Sequence, residues 1–350
     1  MMGPQDRFRA LVLHEGDPEP RAELEELRIS DLPEGDVLIE VAYSSLNYKD
    51  ALAVTGAGRI VRGYPMVPGI DLAGRVLESD SPAYGPGDRV ILTGWGIGEA
   101  RWGGFAERAR VRSEWLVPLP AGLSLKHAMA LGTAGLTAML AVMALEEAGV
   151  MPEGGRAGTS TETSGVEKPG AVLVTGASGG VGSIAIVLLA AAGYRVVASS
   201  GRHESAAYLH SLGAEEVIER AALELPAKPL ESQRWAGAVD SVGGDTLARV
   251  LAETGYGGAV ASCGLVGGSA LNTTVMPFIL RAVKLIGINS VAAPAESRIE
   301  AWRRLAERVR PEVLNGFTRV ASLEDVHTLA RTMMAGRGRG RTVVELRGGE

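Results

Sequence analysis

From Phe8 to about Val117 the chain runs in short apolar stretches, "ALVL", "VLIEVAYSS", "IDLAGRVLES", "GDRVILTGWG", "GGFAERARV" and "EWLVPLP", broken by Gly, Pro and Asp. Turn signals at that spacing predict an antiparallel, barrel-like domain. Between Ser124 and Gly149 the apolar positions recur at three and four residues, which predicts a helix opening at a Ser124 cap. Residues 151–170 lose this rhythm and are rich in Gly, Thr, Ser, Glu and Pro, the composition of a linker or inserted loop.

After the linker, strands and helices alternate: "AVLVTG", "GSIAIVLLAAAG", "YRVVASSG", "HESAAYLHSLG" and "EEVIER", then "AGAVDSVGG", "TLARVLAETG", "GGAVASCGL" and "VKLIGINSV". Strand, helix, strand in that order requires right-handed crossovers and a parallel sheet covered on both faces. A doubly wound dinucleotide-binding domain is therefore predicted. The later stretch "AESRIEAWRRLAERV" reads as an amphipathic helix, and "GRGRGRTVVEL" as a final strand behind an arginine-rich turn.

Composition narrows the classes of function. The 350 residues, 46% hydrophobic and 22% charged, suit two domains of ordinary size. A formal net charge of -6 argues against nucleic acid or an anionic membrane as the main partner. The opening residues lack the apolar run of a secretory signal, and the most apolar window, 181–199, is interrupted by Gly193 and Arg195, against a membrane span. Cys263 is the single cysteine, which rules out an internal disulfide framework and points to a reducing, cytoplasmic setting.

The stretch "VLVTGASGGVGS", Val172 to Ser183, carries the clearest chemistry. Gly176, Gly179 and Gly182 stand where a strand turns into a helix: the first permits the turn, the second admits a pyrophosphate, the third allows close helix–strand packing. The helix N-terminus adds unpaired N–H groups and a positive dipole. An NAD site places a carboxylate about twenty residues further on, but here the chain reads Ser199-Ser200-Gly201-Arg202. Arg202, with Ser200 and Arg220, suits the 2′-phosphate of NADPH.

"SSLNYKDALAVTG", "YPMVPGIDLAGRV", "GDRVILTGWGIGE", "WGGFAERARV", "GTAGLTAMLAVMALEEAG", "VTGASGGVGS", "CGLVGG" and "TTVMPFILR" occur in an order that resembles the zinc-free medium-chain reductases. The likeness is to the AcuI/YhdH type, NADPH-dependent acrylyl-CoA reductases often labelled quinone oxidoreductases, and runs from about Ala10 to Leu346. A segment at about 153–168 looks longer than the family's usual connection. The resemblance implies an α/β protein with a GroES-like, barrel-like catalytic domain, residues 1–127 and 295–350, and a Rossmann NADPH-binding domain, residues 128–294. It further implies that Tyr48, Ser178, Gly179, Gly180, Val181, Ser200, Gly201, Arg202, Arg220, Leu265, Ile279 and Ser290 line the NADPH site. A homodimer is also implied, through the apolar strand "VKLIGINSV".

Zinc alcohol dehydrogenases of this superfamily carry a Cys and a His-Glu pair where this chain has Asn47 or its neighbours and "PGIDLAG". Cys263 alone, with His14, His127, His203, His210 and His327 scattered, gives no zinc ligand set. Without a metal, a nicotinamide enzyme needs a carbon that accepts hydride readily, such as an alkene conjugated to a thioester. Tyr48 and Asn47 are the candidate catalytic residues, Tyr48 as donor to the enolate or as a support for the ring. Asn47 alternatively holds its turn, and Asp50 and Asp71 are read as structural. Arg337, Arg339 and Arg341 are candidates for coenzyme A phosphates, and Trp95 and Trp102 for a loop over the substrate. Two further readings stay open, an NADPH quinone or enone oxidoreductase and a non-catalytic NADPH-binding protein.

Overall fold

The computed structural model describes residues 7–152 and 170–347. The linker expected at 151–170 lies, but for its ends, outside the described residues, as does the insertion expected at 153–168. The strands and helices follow in chain order. First come β1 (Arg7–His14), β2 (Arg21–Arg28), β3 (Val37–Ser45), α1 (Tyr48–Thr55), β4 (Asp71–Ser79), β5 (Arg89–Thr93), β6 (Arg108–Val111), β7 (Val117–Pro118) and α2 (Leu125–Glu147). Next are β8 (Ala171–Val174), α3 (Gly180–Ala191), β9 (Arg195–Ser200), α4 (Ala206–Ser211), β10 (Glu216–Glu219), β11 (Trp235–Asp240), α5 (Gly244–Glu253), β12 (Thr254–Ser262), α6 (Met276–Arg281) and β13 (Lys284–Gly287). Last are α7 (Ala295–Arg308), α8 (Pro311–Phe317), β14 (Thr318–Ser322), α9 (Val326–Met334) and β15 (Arg341–Glu345).

Two compact units result, one from residues 1–134 and 290–350, the other from residues 135–289. In the first, a seven-stranded sheet runs β14-β15-β3-β4-β5-β7 with β6 also on β3, and β1 pairs β2 in a separate ribbon. All pairs but the parallel β14–β15 are antiparallel. Alternate residues of four strands, Val37, Ile39 and Val41, Leu72 and Val76, Val90 and Leu92, Ala109 and Val111, converge in one apolar cluster. Period-two spacing sends them to one face, and burying each large aliphatic side chain stabilises by about 1.5–3 kcal/mol.

Ser124 does open α2, its Oγ accepting the His127 N–H at 3.1 Å. The helical rhythm hides a break at Gly132, with φ 53° and ψ −153°. A Cβ there would lie 2.5 Å from the Asp71 carboxylate and 2.9 Å from Arg341, so only glycine fits. By length and composition α2 is long and apolar enough to cross a membrane, but 78% of its most apolar window is buried inside the fold.

The second unit is a six-stranded sheet in the order β10-β9-β8-β11-β12-β13, parallel throughout. The central strand β8, Ala-Val-Leu-Val, is buried at every residue, as expected of a sheet covered on both faces. The strand order reverses between β8 and β11, and beyond their carboxyl ends such a sheet offers its ligand crevice.

Candidate functional site

The glycine turn lies at that reversal. Gly176 has φ 57°, and a Cβ on it would fall 2.3 Å from Ser241 Oγ; one on Gly182 would fall 2.5 Å from the Gly176 carbonyl. Both are steric requirements of the turn. Gly179 differs: a Cβ there would meet only the Gly176 oxygen, at 3.3 Å. Gly179 is the N-cap of α3, and no side chain caps the helix. The first-turn N–H groups, Gly180 and Val181 among them, are thus left for an anionic ligand.

The end of β9 assembles the predicted cationic corner. Ser200 Oγ accepts the Arg202 backbone N–H at 3.2 Å, and Arg202 Nη2 donates to Ser178 Oγ at 2.8 Å. The Arg220 guanidinium lies over Gly201, 3.0 Å from where a Cβ would sit, and its Nε pairs with exposed Glu224 at 2.8 Å. Ser178, Ser200, Gly201, Arg202 and Arg220 are therefore together.

The loops beyond the strand ends are tied by residues that pattern reading missed. Buried Asp240, at the end of β11, accepts Thr175 Oγ1 at 2.7 Å and the Gly243 N–H at 2.9 Å, and burial raises its pKa. Cys263 donates its backbone N–H to the Asp240 carbonyl at 2.8 Å, and burial pushes its thiol up to about 12. The segment carrying Leu265 packs on this turn, where Gly267 N–H meets the Val242 carbonyl at 2.7 Å. Leu265 itself is 67% exposed, and Ile279 on α6 is 71% exposed.

In the first unit, Tyr48 opens α1 and is 42% exposed. Asn47 in front of it is buried, and its side chain is spent inside the fold. Nδ2 donates to Asp71 Oδ2 at 2.8 Å and to Asp50 Oδ2 and Ser45 Oγ at 3.2 Å, while Oδ1 accepts Arg341 Nη1 at 3.0 Å. Asp50 accepts the Asn47 backbone N–H at 2.8 Å and that of Ile70 at 2.9 Å. Asp71 accepts Ser45 Oγ at 2.6 Å, Thr133 N–H at 2.9 Å and Thr133 Oγ1 at 2.5 Å.

Asp71 thus faces the N-terminus of the part of α2 beyond Gly132. Arg341 takes the carbonyls before the break, Ala130 at 2.7 Å and Met129 at 3.4 Å. Each charge meets the end of a half-helix that its sign favours. Two buried carboxylates face one buried guanidinium, and burial, with the charge of Asp71, pushes Asp50 up to about 7.

Three expectations change. Arg341 is 4% exposed and belongs to this frame, so it is no candidate for coenzyme A phosphates; an arginine that starts a core strand was read as part of the surface turn. Arg337 and Arg339 are exposed. Trp95 lies 5.3 Å over the guanidinium of Arg298, and Trp102 donates to the Pro65 carbonyl at 3.2 Å, so both are held by the fold. Among the described residues one set of metal-type donors does meet, His14, Glu23 and Glu25, within 4.8 Å on the β1–β2 ribbon. His14 hydrogen-bonds Glu25, and Arg21 pairs with Glu23 at 3.4 Å, so the set is satisfied internally.

Two family models match, "Alcohol dehydrogenase GroES-like domain" over residues 33–121 and "Zinc-binding dehydrogenase" over residues 180–308. The chain is 49% identical over 339 residues to the "Probable acrylyl-CoA reductase AcuI" of Escherichia coli (strain K12), covering 97% of this chain and 100% of that protein. The chain belongs to the medium-chain dehydrogenase/reductase family. Among medium-chain reductases it is also 45% identical to the "Putative quinone oxidoreductase YhfP" of Bacillus subtilis (strain 168), over 97% of this chain and 99% of that protein. The yhdH oxidoreductase of Salmonella enterica, solved in complex with NADP, superposes with a TM-score of 0.91 at 50% identity, covering 97% of this chain and 100% of that one. In medium-chain reductase terms the 135–289 unit is the Rossmann-like half and the unit bearing Tyr48 the GroES-like half.

Proposed function

We propose that the protein reduces the alkene of acrylyl-CoA, or of a similar short 2-enoyl-CoA, with NADPH. One observation carries the cofactor. At the end of β9, where an NAD site places a carboxylate, Arg202 rests on Ser178 at 2.8 Å and Arg220 lies over Gly201. The uncapped start of α3 and the bare backbone at Gly179 fit the pyrophosphate. The substrate class follows from the AcuI relatives, 49% and 48% identical over nearly the whole chain.

NADPH, when bound, supplies the hydride that adds to the β-carbon. The chain's part is to hold and polarise the thioester while the α-carbon takes a proton from solvent, which completes the saturated acyl-CoA. We assign Tyr48 to donate its phenolic hydrogen to the thioester oxygen, where charge gathers. Asn47 acts as its positioning residue, because its own amide is already engaged. Tyr48, Ser290, Leu265 and Ile279 are assigned to the cofactor on the likeness to the AcuI/YhdH-type reductases. The reaction needs no metal in this reading. Asn47 and Asp71, in the segments where zinc alcohol dehydrogenases carry ligands, are tied to one another, and Asn47 to Arg341.

The exposed edge strand β13, with Leu285, and the nearby apolar residues Val275 and Leu280 support a homodimer formed by edge pairing. Scattering in solution tests it: a monomer at working concentration overturns it. The lone Cys263 supports a reducing, cytoplasmic setting.

The decisive assay follows nicotinamide absorbance with NADPH or NADH and, in parallel, acrylyl-CoA, free acrylate and a simple quinone. Fast NADPH oxidation with acrylyl-CoA alone is expected. Preference for the quinone would favour the second reading, which the YhfP likeness supports; NADPH binding with no turnover on any acceptor would favour a non-catalytic protein.

A further inference from the structure

Helix α7 turns Arg298, Ala301, Trp302 and Leu305 inward. The last three already anchor the helix by apolar contact, yet Arg298 is buried to 1% exposure as well. Among the described residues all its hydrogen bonds go to uncharged oxygens, and its buried Nε finds no partner. Burying a guanidinium with no carboxylate on it is costly. Burial lowers it to about 10, with the charge of Asp71 opposing that shift.

The fork of the guanidinium shows what this arrangement achieves. Nη1 donates to the Thr93 carbonyl at 2.8 Å and to Thr93 Oγ1 at 3.0 Å, at the end of β5. Nη2 donates to the carbonyls of Ser290 at 3.0 Å and Val291 at 3.3 Å. The Trp95 ring covers the guanidinium at 5.3 Å, and the Trp95 backbone N–H donates to the Val291 carbonyl at 3.1 Å. Trp95 has φ 57°, the left-handed region that a bulky side chain rarely adopts, so its turn needs such external support. The same turn ends in Glu99, which accepts Lys49 Nζ at 2.8 Å, and Lys49 follows Tyr48 on α1.

We propose that Arg298 is a positioning residue for NADPH: by clamping Ser290–Val291 and the Trp95 turn onto the end of β5, it fixes Ser290 directly and Tyr48 through Glu99 and Lys49. The inference rests on the assignment of Ser290 and Tyr48 to the cofactor made above. A flexible ammonium cannot reproduce a planar fork that reaches two segments at once.

The test is Arg298→Lys, read as the NADPH dissociation constant from nicotinamide fluorescence, and as KM for NADPH and for acrylyl-CoA. Both NADPH values should rise about tenfold, and KM for acrylyl-CoA by clearly less, because Tyr48, which also meets the thioester, is held only indirectly through the Lys49–Glu99 pair. A double-mutant cycle with Ser290→Ala should be non-additive, the Lys substitution costing far less once the Ser290 hydroxyl is gone. Unchanged NADPH binding, equal rises in both KM values, or effects that simply multiply would overturn the proposal. If Arg298→Lys does not fold, Thr93→Val removes one acceptor of the fork and should raise the NADPH dissociation constant about twofold to threefold with the same coupling to Ser290; no change there overturns it. The NADPH constants need no acyl substrate. A wild-type protein that binds NADPH but ignores acrylyl-CoA therefore removes the substrate reading and leaves this test standing.

Discussion

The turns from β8 into α3 and from β3 into α1 both carry a strand end into a helix start, and they solve the same chemical problem in opposite ways. Before α3 the chain presents Gly179 and no side-chain cap, leaving the first N–H groups bare. Before α1 it presents Asn47, with Asp50 taking the Asn47 N–H at 2.8 Å and Asp71, Ser45 and Arg341 engaging the amide. A bare helix start stays ready for an anion. A start boxed by Asn47 and Asp50, with a carboxyl group in its first turn, disfavours one, and serves instead as a rigid mount for Tyr48. One turn acts by what it omits, the other by what it holds.

The comparison can be broken in order of expected effect. Asp71→Ala should cost the most, about 3–5 kcal/mol in urea unfolding, because it leaves the buried Arg341 guanidinium facing Asp50 alone and unpairs Ser45, Asn47 and Thr133; a loss under about 1 kcal/mol would mean that the closed turn does not depend on the frame. Arg202→Asp should weaken NADPH by about 1.5–3 kcal/mol and NADH little, and equal losses in titrations of both cofactors would remove the 2′-phosphate assignment. Gly182→Val should lower stability by about 1–3 kcal/mol through overpacking. Gly179→Ala, whose Cβ would only press on the Gly176 oxygen at 3.3 Å, should cost less stability than Gly182→Val while losing NADPH affinity; matched melting curves for the two variants would erase the distinction between a steric and a ligand-facing glycine.

The effect smallest at any one step is on pH dependence, where the change is spread over the whole titration window. Asp50 is pushed by burial from 3.8 to about 7. Folding therefore favours its protonated form, and the stability this group contributes is full below 3.8 and lost as pH rises through about 7. The slope is at most about 1.4 kcal/mol per pH unit. Asp50→Asn should lose that decline, and parallel stability–pH curves for variant and parent would contradict it.

The open turn was legible because its glycines lie within seven consecutive residues, 176–182, and each need is local. The closed turn was not, because Ser45, Asp71, Thr133 and Arg341 come from four distant segments that only the sheet brings together. Arg341 sat in "GRGRGR" and read as one more surface charge, although it begins a strand, β15, whose first four residues are all buried. Arg298 did leave a trace: with Ala301, Trp302 and Leu305 it holds the i, i+3, i+4, i+7 positions of a buried face. Gly132 left none, since a single glycine in an apolar rhythm does not announce a break.

The place of Arg341 along the chain sets the order in which the molecule can be completed as it is made. The 135–289 unit is one continuous stretch and can fold as soon as it has emerged. The unit around Tyr48 has to wait, for β15 must pair with β3 before Arg341 reaches Asn47. Until then Asp50 and Asp71 share a site without their cation. The glycine turn is ready before synthesis ends, and the mount for Tyr48 is among the last parts to close.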